Sequence, residues 1–226
     1  MPPHPAKCLW CQVPLPAGAV RHHARTCSKL CRQRLWRFHV TPGPRATDNK
    51  PMRFAYADPP YPGKAHLYPE HQEIDHPALI RQLEATYPDG WALSTSARAL
   101  RDILPLCPPD TRVCAWLKKT RPHKHARILT TWEPLLVAHG RKRHPTDARS
   151  ERDALIARGR FHAHPNPMIG MKPPAYATWV FHLLGAALGD TLDDLFPGSG
   201  AITRAWRLYT CDVTRDTNQK ELDPCR

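Results

Sequence analysis

Short unbroken apolar runs alternate along the chain with stretches in which apolar residues return every three or four positions. Arg53 to Ala57 is such a run and predicts a buried strand, while Pro77 to Tyr87, with Leu79, Ile80 and Leu83 at helical spacing, predicts a helix. Gly90 to Thr95 predicts a second strand and Ala97 to Leu106 a second helix; Arg112 to Leu117 and Glu133 to Ala138 predict two later strands. Pro174 to Leu188 is apolar enough for a buried helix, and a short strand through Thr191 to Leu195 leads into a glycine turn and a further helix. Strands alternating with helices predict an α/β protein with a mostly parallel sheet covered on both faces.

Two stretches interrupt this pattern. Residues 41–51, within "VTPGPRATDNKP", combine proline, glycine and small polar residues without periodicity and read as a linker, so that a small module over residues 1–40 precedes a main domain over 52–226. Residues 139–167 are basic and weakly patterned, with room for one short helix around Glu151 to Ala157; they read as a long functional loop. No internal repeat is visible.

Composition narrows the class. The 226 residues are 41% hydrophobic, enough for one medium domain with a small appendage, and carry a formal charge of +13 with 14 histidines besides. Such a balance favours a polyanionic partner, because neutralised phosphates release counterions; solubility alone is the plainer explanation. No stretch approaches the roughly 18 consecutive apolar residues of a membrane span, and "MPPHPAKC" lacks an apolar secretory core. A cytoplasmic protein that engages no membrane is the expectation.

Cysteine spacing points to a metal. Cys8 and Cys11 are separated by two residues, Cys27 and Cys31 by three, and fifteen residues lie between the pairs. Two close thiolate pairs each supply one edge of a tetrahedron, which predicts a structural Zn2+ site; His22 or His23 in place of one thiolate, or four unrelated thiols, are the alternatives. Behind the second pair, Lys29, Arg32, Arg34 and Arg37 surround Trp36 on a predicted helix, where cations and an aromatic ring can hold phosphates and stack on a base. A solvated helix face is the competing explanation. Cys107, Cys114, Cys211 and Cys225 have no ligand-like spacing and read as core or surface thiols.

Two motifs carry the remaining chemistry. Asp58-Pro59-Pro60-Tyr61 directly follows the first predicted strand, where open α/β sheets place their ligands. Prolines fix φ and so make the carbonyl directions of this turn rigid. Near the other end, "TLDDLFPGSGAI" runs from a strand through Asp194 into Phe196-Pro197-Gly198-Ser199-Gly200 and a helix, and its glycines let the backbone approach a ligand without side-chain obstruction.

Together these motifs resemble those of the S-adenosylmethionine (SAM)-dependent amino DNA methyltransferases, the adenine-N6 and cytosine-N4 enzymes, in the motif order of the beta class. Asp58 to Tyr61 is similar to the family's catalytic tetrapeptide, and Asp194, Phe196, Gly198, Ser199 and Gly200 to its cofactor loop. "KPPAYATWVFHLLGAALGD", starting at Lys172 and Pro173, resembles the helix that packs beside the cofactor, and "VCAWLKK" and "TWEPLLVAHGRKR" resemble the later hairpin strands. The resemblance spans residues 52 to 206 and implies a Rossmann-like sheet, mostly parallel with an antiparallel hairpin. It further implies that Asp58 and the Pro59 carbonyl accept the two amino hydrogens of a base, that Tyr61 stacks on it beside Pro60, and that the base is flipped out or single-stranded.

The sequence departs from the family in two places. A strand ending in an acid that holds the cofactor ribose usually follows the loop and its helix, whereas "RLYTCDVTRDTNQKELDPCR" has little strand character and offers only Asp212. The region for target recognition is confined to 139–167, whose Arg141, Lys142, Arg143, Arg149, Arg152, Arg158 and Arg160 suit phosphates better than base edges, so the zinc module is expected to share in gripping the duplex. Aspartate at position 58 leans toward adenine over cytosine. An RNA substrate, or a zinc-dependent nucleic-acid binder that no longer catalyses, are the competing readings. The Arg-, Ala- and Pro-rich composition suggests a high-GC bacterial or phage-like origin.

Overall fold

In a computed structural model of the chain, residues 15, 50–68, 71–118, 127–143, 150–157 and 172–210 are described. Six strands among them form one sheet: Arg53–Ala57 (β1), Gly90–Ser94 (β2), Arg112–Leu117 (β3), Trp132–His139 (β4), Ala154–Ile156 (β5) and Thr191–Asp194 (β6). Their order is β5-β3-β4-β2-β1-β6. The pairs β1–β2, β1–β6 and β3–β5 are parallel, while β4 runs antiparallel to both β2 and β3. The mostly parallel sheet with an antiparallel hairpin is therefore present.

Helices cover both faces. His76–Thr86 (α1) starts where Asp75 accepts a hydrogen bond from the Ala78 amide at 2.9 Å and Pro77 occupies the first turn, both favourable at a helix start. Leu100–Ile103 (α2) tightens into a 3-10 turn over Leu104–Leu106; Pro174–Leu183 (α3) and Ala201–Thr210 (α4) complete the set. No helix among the described residues is long and apolar enough to cross a membrane.

Strand alternation sorts the core into two layers. Phe54, Tyr56, Cys114, Trp116, Leu135 and Val137 face α3 and α4, whereas Ala55, Ala57, Trp91, Leu93, Leu136 and Ala138 face α1 and α2. Unbroken apolar runs in β1 and β2 follow from burial on both sides. Each fully buried large side chain, such as Phe54 or Leu83, contributes roughly 1.5–3 kcal/mol relative to exposure. Cys114 is buried and Cys107 half-buried; burial pushes both thiols up to about 11, as expected of inert thiols.

Two expectations are corrected. The short helix around Glu151 to Ala157 is instead β5, which pairs Ala154 with Ala115 and Ile156 with Leu117. The open edge of β3 supplies backbone partners that an isolated turn of helix lacks, and the Ala157 and Arg152 carbonyls accept from the Trp116 and Trp179 indoles at 3.0 and 2.7 Å. The helix expected to reach Leu188 ends at Leu183. Gly185 takes a left-handed φ of +68°, its amide bonding the His182 carbonyl and the Ala186 amide that of Phe181, which closes the last turn.

Candidate active site

Neighbouring strand ends bring the two sequence motifs together. Tyr56 on β1 pairs with Asp194 on β6, and the Leu195 amide donates to the Tyr56 carbonyl at 2.9 Å. The turns Asp58–Tyr61 and Phe196–Gly200 therefore leave the same rim of the sheet, side by side. The helix that follows β1 lies on one face and the helix that follows β6 on the other, which places both turns at the point where open α/β sheets bind ligands.

Parity gathers charge on the α3 face of that rim. The Lys172 ammonium, two residues ahead of α3, donates to Asp58 Oδ1 at 2.9 Å and lies 2.8 Å from Oδ2 in an ion pair. Glu133, at the start of β4, brings its Oε2 to 3.7 Å from the same nitrogen and accepts from Lys118 through Oε1. Rings of Tyr176, Trp116 and Tyr61 surround the ammonium, with centroids 5.7, 5.8 and 6.0 Å away. Below it, Tyr56, Ser94 and Tyr176 form a buried hydroxyl chain with links of 2.9 and 2.7 Å. Side-chain exposure is 4% for Lys172, 14% for Glu133 and 20% for Asp58, so this is a buried cluster with its opening at Asp58.

Burial pushes the Asp58 carboxyl up from its ordinary range, and Lys172 works against that shift. For Lys172, burial alone would lower the ammonium, but Asp58, Tyr61, Tyr176 and Glu133 outweigh it and hold the group well above its usual value. Lys172 is thus held in its charged form. Tyr61 makes a long contact from its hydroxyl to Asp58 Oδ1, 3.5 Å, and burial raises its phenol well above the ordinary value. Pro59 is buried and Pro60 half-buried beneath this turn.

The second turn is built for close approach. Gly198 and Gly200 adopt φ of +46° and +67°, conformations that favour glycine, and the Gly200 amide closes the turn on the Pro197 carbonyl at 2.6 Å. Arg204 donates to the Ser199 carbonyl at 2.7 Å and holds the turn to α4. Asp194 accepts from the Thr203 hydroxyl at 2.8 Å through Oδ2, while Oδ1 is buried without a hydrogen-bond partner. Burial raises the Asp194 carboxyl, with the Thr203 hydroxyl and amide and the Phe196 amide acting against it.

Other expected site residues lie elsewhere. Lys172, expected beside the cofactor loop, directs its ammonium to Asp58; Pro173 is buried next to it as the cap of α3. Arg141, Lys142 and Arg143 follow β4, whose last residue pairs with the first of β2, so they occupy the rim opposite Asp58. Arg141 is a structural cation: it donates to Asp190 Oδ1 at 2.6 Å and the Gly185 carbonyl at 3.2 Å, with 11% of its side chain exposed and 1% of Asp190's. Arg141, expected to contact phosphates, is thus paired within the fold in this structure. Lys142 and Arg143 are exposed on this far rim. Cys8, Cys11, Cys27, Cys31, Arg32, Arg34, Arg37 and Asp212 fall outside the described residues. Among the described residues no His, Cys, Asp and Glu cluster could hold a metal ion.

Sequence reasoning missed Glu133, Lys118, Trp116 and Tyr176. A signal existed for the first: Glu133 shares parity with the core residues Leu135 and Val137, so a strand over this stretch turns its carboxylate inward.

No family model matches the chain, and no curated protein matches it. Among solved structures, the crystal structure of the M1.HpyAVI–SAM complex is similar over 78% of this chain and 85% of that one, with 17% identity and a TM-score of 0.47. The crystal structure of M1.HpyAVI is similar over 71% of this chain and 79% of that one, with 17% identity and a TM-score of 0.46.

Proposed function

We propose that this chain is a SAM-dependent methyltransferase that methylates an exocyclic base amine, adenine N6 in DNA. One observation carries the reading: an acidic Pro-Pro turn and a glycine turn leave adjacent parallel strands on the same rim. A flipped base and a cofactor placed one at each turn would meet there.

The residues at the rim fit the cofactor. Asp194 Oδ1 is a buried acceptor in want of a donor, which a hydroxyl or ammonium group supplies, and the glycines of the turn leave backbone exposed to contact. Asp194, Phe196, Gly198, Ser199 and Gly200 would hold it. SAM supplies an electrophilic methyl group on a sulfonium. Asp58 and the Pro59 carbonyl would accept the amino hydrogens of the base, which draws the nitrogen lone pair out of conjugation, and Tyr61 would lie against the ring. A four-cysteine Zn2+ module over residues 1–40, with Arg32, Arg34 and Arg37 behind it, would add affinity for the phosphates.

Incubation with a labelled methyl donor and DNA or RNA, followed by hydrolysis and identification of the nucleoside, tests the proposal. N6-methyladenine from DNA is the expected product. The same mark only from RNA, or N4-methylcytosine, moves the substrate; absence of transfer to any nucleic acid despite binding leaves a nucleic-acid binder that does not catalyse.

A further inference from the structure

We propose that Glu133 is a positioning residue that receives the Lys172 ammonium when a substrate amine takes its place on Asp58, so that Lys172 alternates between two carboxylates. The proposal rests on the reading of Asp58 as the amine acceptor. Lys172 occupies both Asp58 oxygens, and a cation held there opposes the reaction in two ways. It weakens the carboxylate as an acceptor, and it repels the positive charge that reaches the amine nitrogen as the methyl group bonds to it, before a proton leaves. The resting arrangement is therefore unsuited to methyl transfer.

The geometry points to where the ammonium goes. Glu133 Oε2 is 3.7 Å from Lys172 Nζ, buried, and without a hydrogen-bond partner, while Oε1 of the same carboxylate is anchored by Lys118. A displacement of about 1 Å brings the pair to hydrogen-bond distance, within the freedom of a four-carbon stem. Such a move keeps the buried cation paired throughout, and the rings of Trp116 and Tyr176 already flank it where it stands. Asp58, the more exposed of the two acids, is then free at the rim.

Four proteins test this: wild type, Glu133→Gln, Lys172→Met and the double variant, each assayed for kcat and KM with the nucleic acid that the wild type methylates. Glu133→Gln should lower kcat about 10- to 100-fold, the scale of a misplaced reacting group, with little change in KM for SAM. In the Lys172→Met background the same substitution should cost less than about twofold, since no ammonium remains to be received. Equal losses in both backgrounds, or no loss in the first, overturn the proposal. Should Lys172→Met fail to fold, Glu133→Asp decides: retention of the charge should restore most of kcat, and a value no better than that of Glu133→Gln refutes the role. A wild type that transfers no methyl group overturns the enzymatic reading and this proposal together, whereas an active wild type with additive variants removes only the role of Glu133.

Discussion

Replacing Asp58 by alanine separates what the buried pair does for stability from what it does for chemistry. Lys172 sits about 2.9 Å from Asp58 and 3.7 Å from Glu133. At an effective dielectric of about 20, the nearer contact is worth roughly 6 kcal/mol of gross attraction and the farther roughly 4 kcal/mol, so the ammonium of the variant keeps most of a partner. Loss of Asp58 also removes the cost of burying that carboxylate. The net penalty should be about 1–2 kcal/mol, below the roughly 3–5 kcal/mol of a buried pair broken outright. For a chain of this size that is a fall of about 2–8 °C in Tm. Adding Glu133→Gln strips the last carboxylate from Lys172, and the double variant should lose about 3–5 kcal/mol, more than the two single losses combined. Urea unfolding followed by circular dichroism gives the three values, and the labelled-methyl assay should find transfer abolished in Asp58→Ala. Strict additivity would show that the two acids do not share Lys172, and full turnover by Asp58→Ala would remove it as the amine acceptor.

Three further outcomes follow from particular contacts. Arg141→Met should destabilise the fold by about 3 kcal/mol in urea unfolding, because Asp190, which also accepts from the Met52 and Ala187 amides at 2.8 and 2.7 Å, would keep an uncompensated buried charge; a neutral effect would contradict the structural role. The folded-state carboxyl of Asp194 lies above its ordinary value through burial, so its stabilising contribution is complete below the unfolded pKa and is lost as pH rises through the folded one. Asp194→Asn should therefore gain stability relative to wild type between acid and neutral pH, and a flat or falling difference across that interval would refute the assignment. Cys27→Ser with Cys31→Ser should abolish bound zinc and weaken DNA affinity, read by metal analysis and a salt-dependent binding titration; unchanged binding by a still-folded protein removes the module from the DNA contact.

Burial on both faces made the central strands legible in the sequence. β1 and β2 carry unbroken apolar runs because helices cover both sides, and Asp58 stands out as the break directly after β1. The Arg53–Ala57 strand and the Arg112–Leu117 strand have the bounds expected of them. β5 left no such trace. Three residues give no period to read, and what makes them a strand is the free edge of β3, reached across a separation of 39 residues between Ala115 and Ala154. The same limit hid the partners of charged groups. Lys172 reaches Asp58 across 114 positions and Arg141 reaches Asp190 across 49, and neither distance leaves a pattern in either segment. A run of cations such as Arg141-Lys142-Arg143 therefore reads as one phosphate-binding patch until the fold assigns its first member to a buried acid.

The assignment of Arg141 also bears on why the chemistry gathers at one rim. At the far rim the β4 exit is stapled to the loop after α3 by Arg141 and Asp190, and the Gly140 amide closes on the Asp89 carbonyl at 2.9 Å. These groups are paired within the fold, although the buried Thr111 Oγ1 and His182 Nε2 toward this end have no hydrogen-bond partner. At the near rim Asp194 Oδ1 and Glu133 Oε2 are both buried acceptors left without a hydrogen bond. Unmet acceptors of this kind are costly in a resting protein, which is tolerable where an incoming group meets the need. Both belong to the face that α3 and α4 cover, on either side of Asp58, so the two unmet demands bracket the one carboxylate that opens at the rim. A ligand that brings a hydroxyl or ammonium to Asp194, and an amine that displaces Lys172 toward Glu133, would satisfy both in a single bound state.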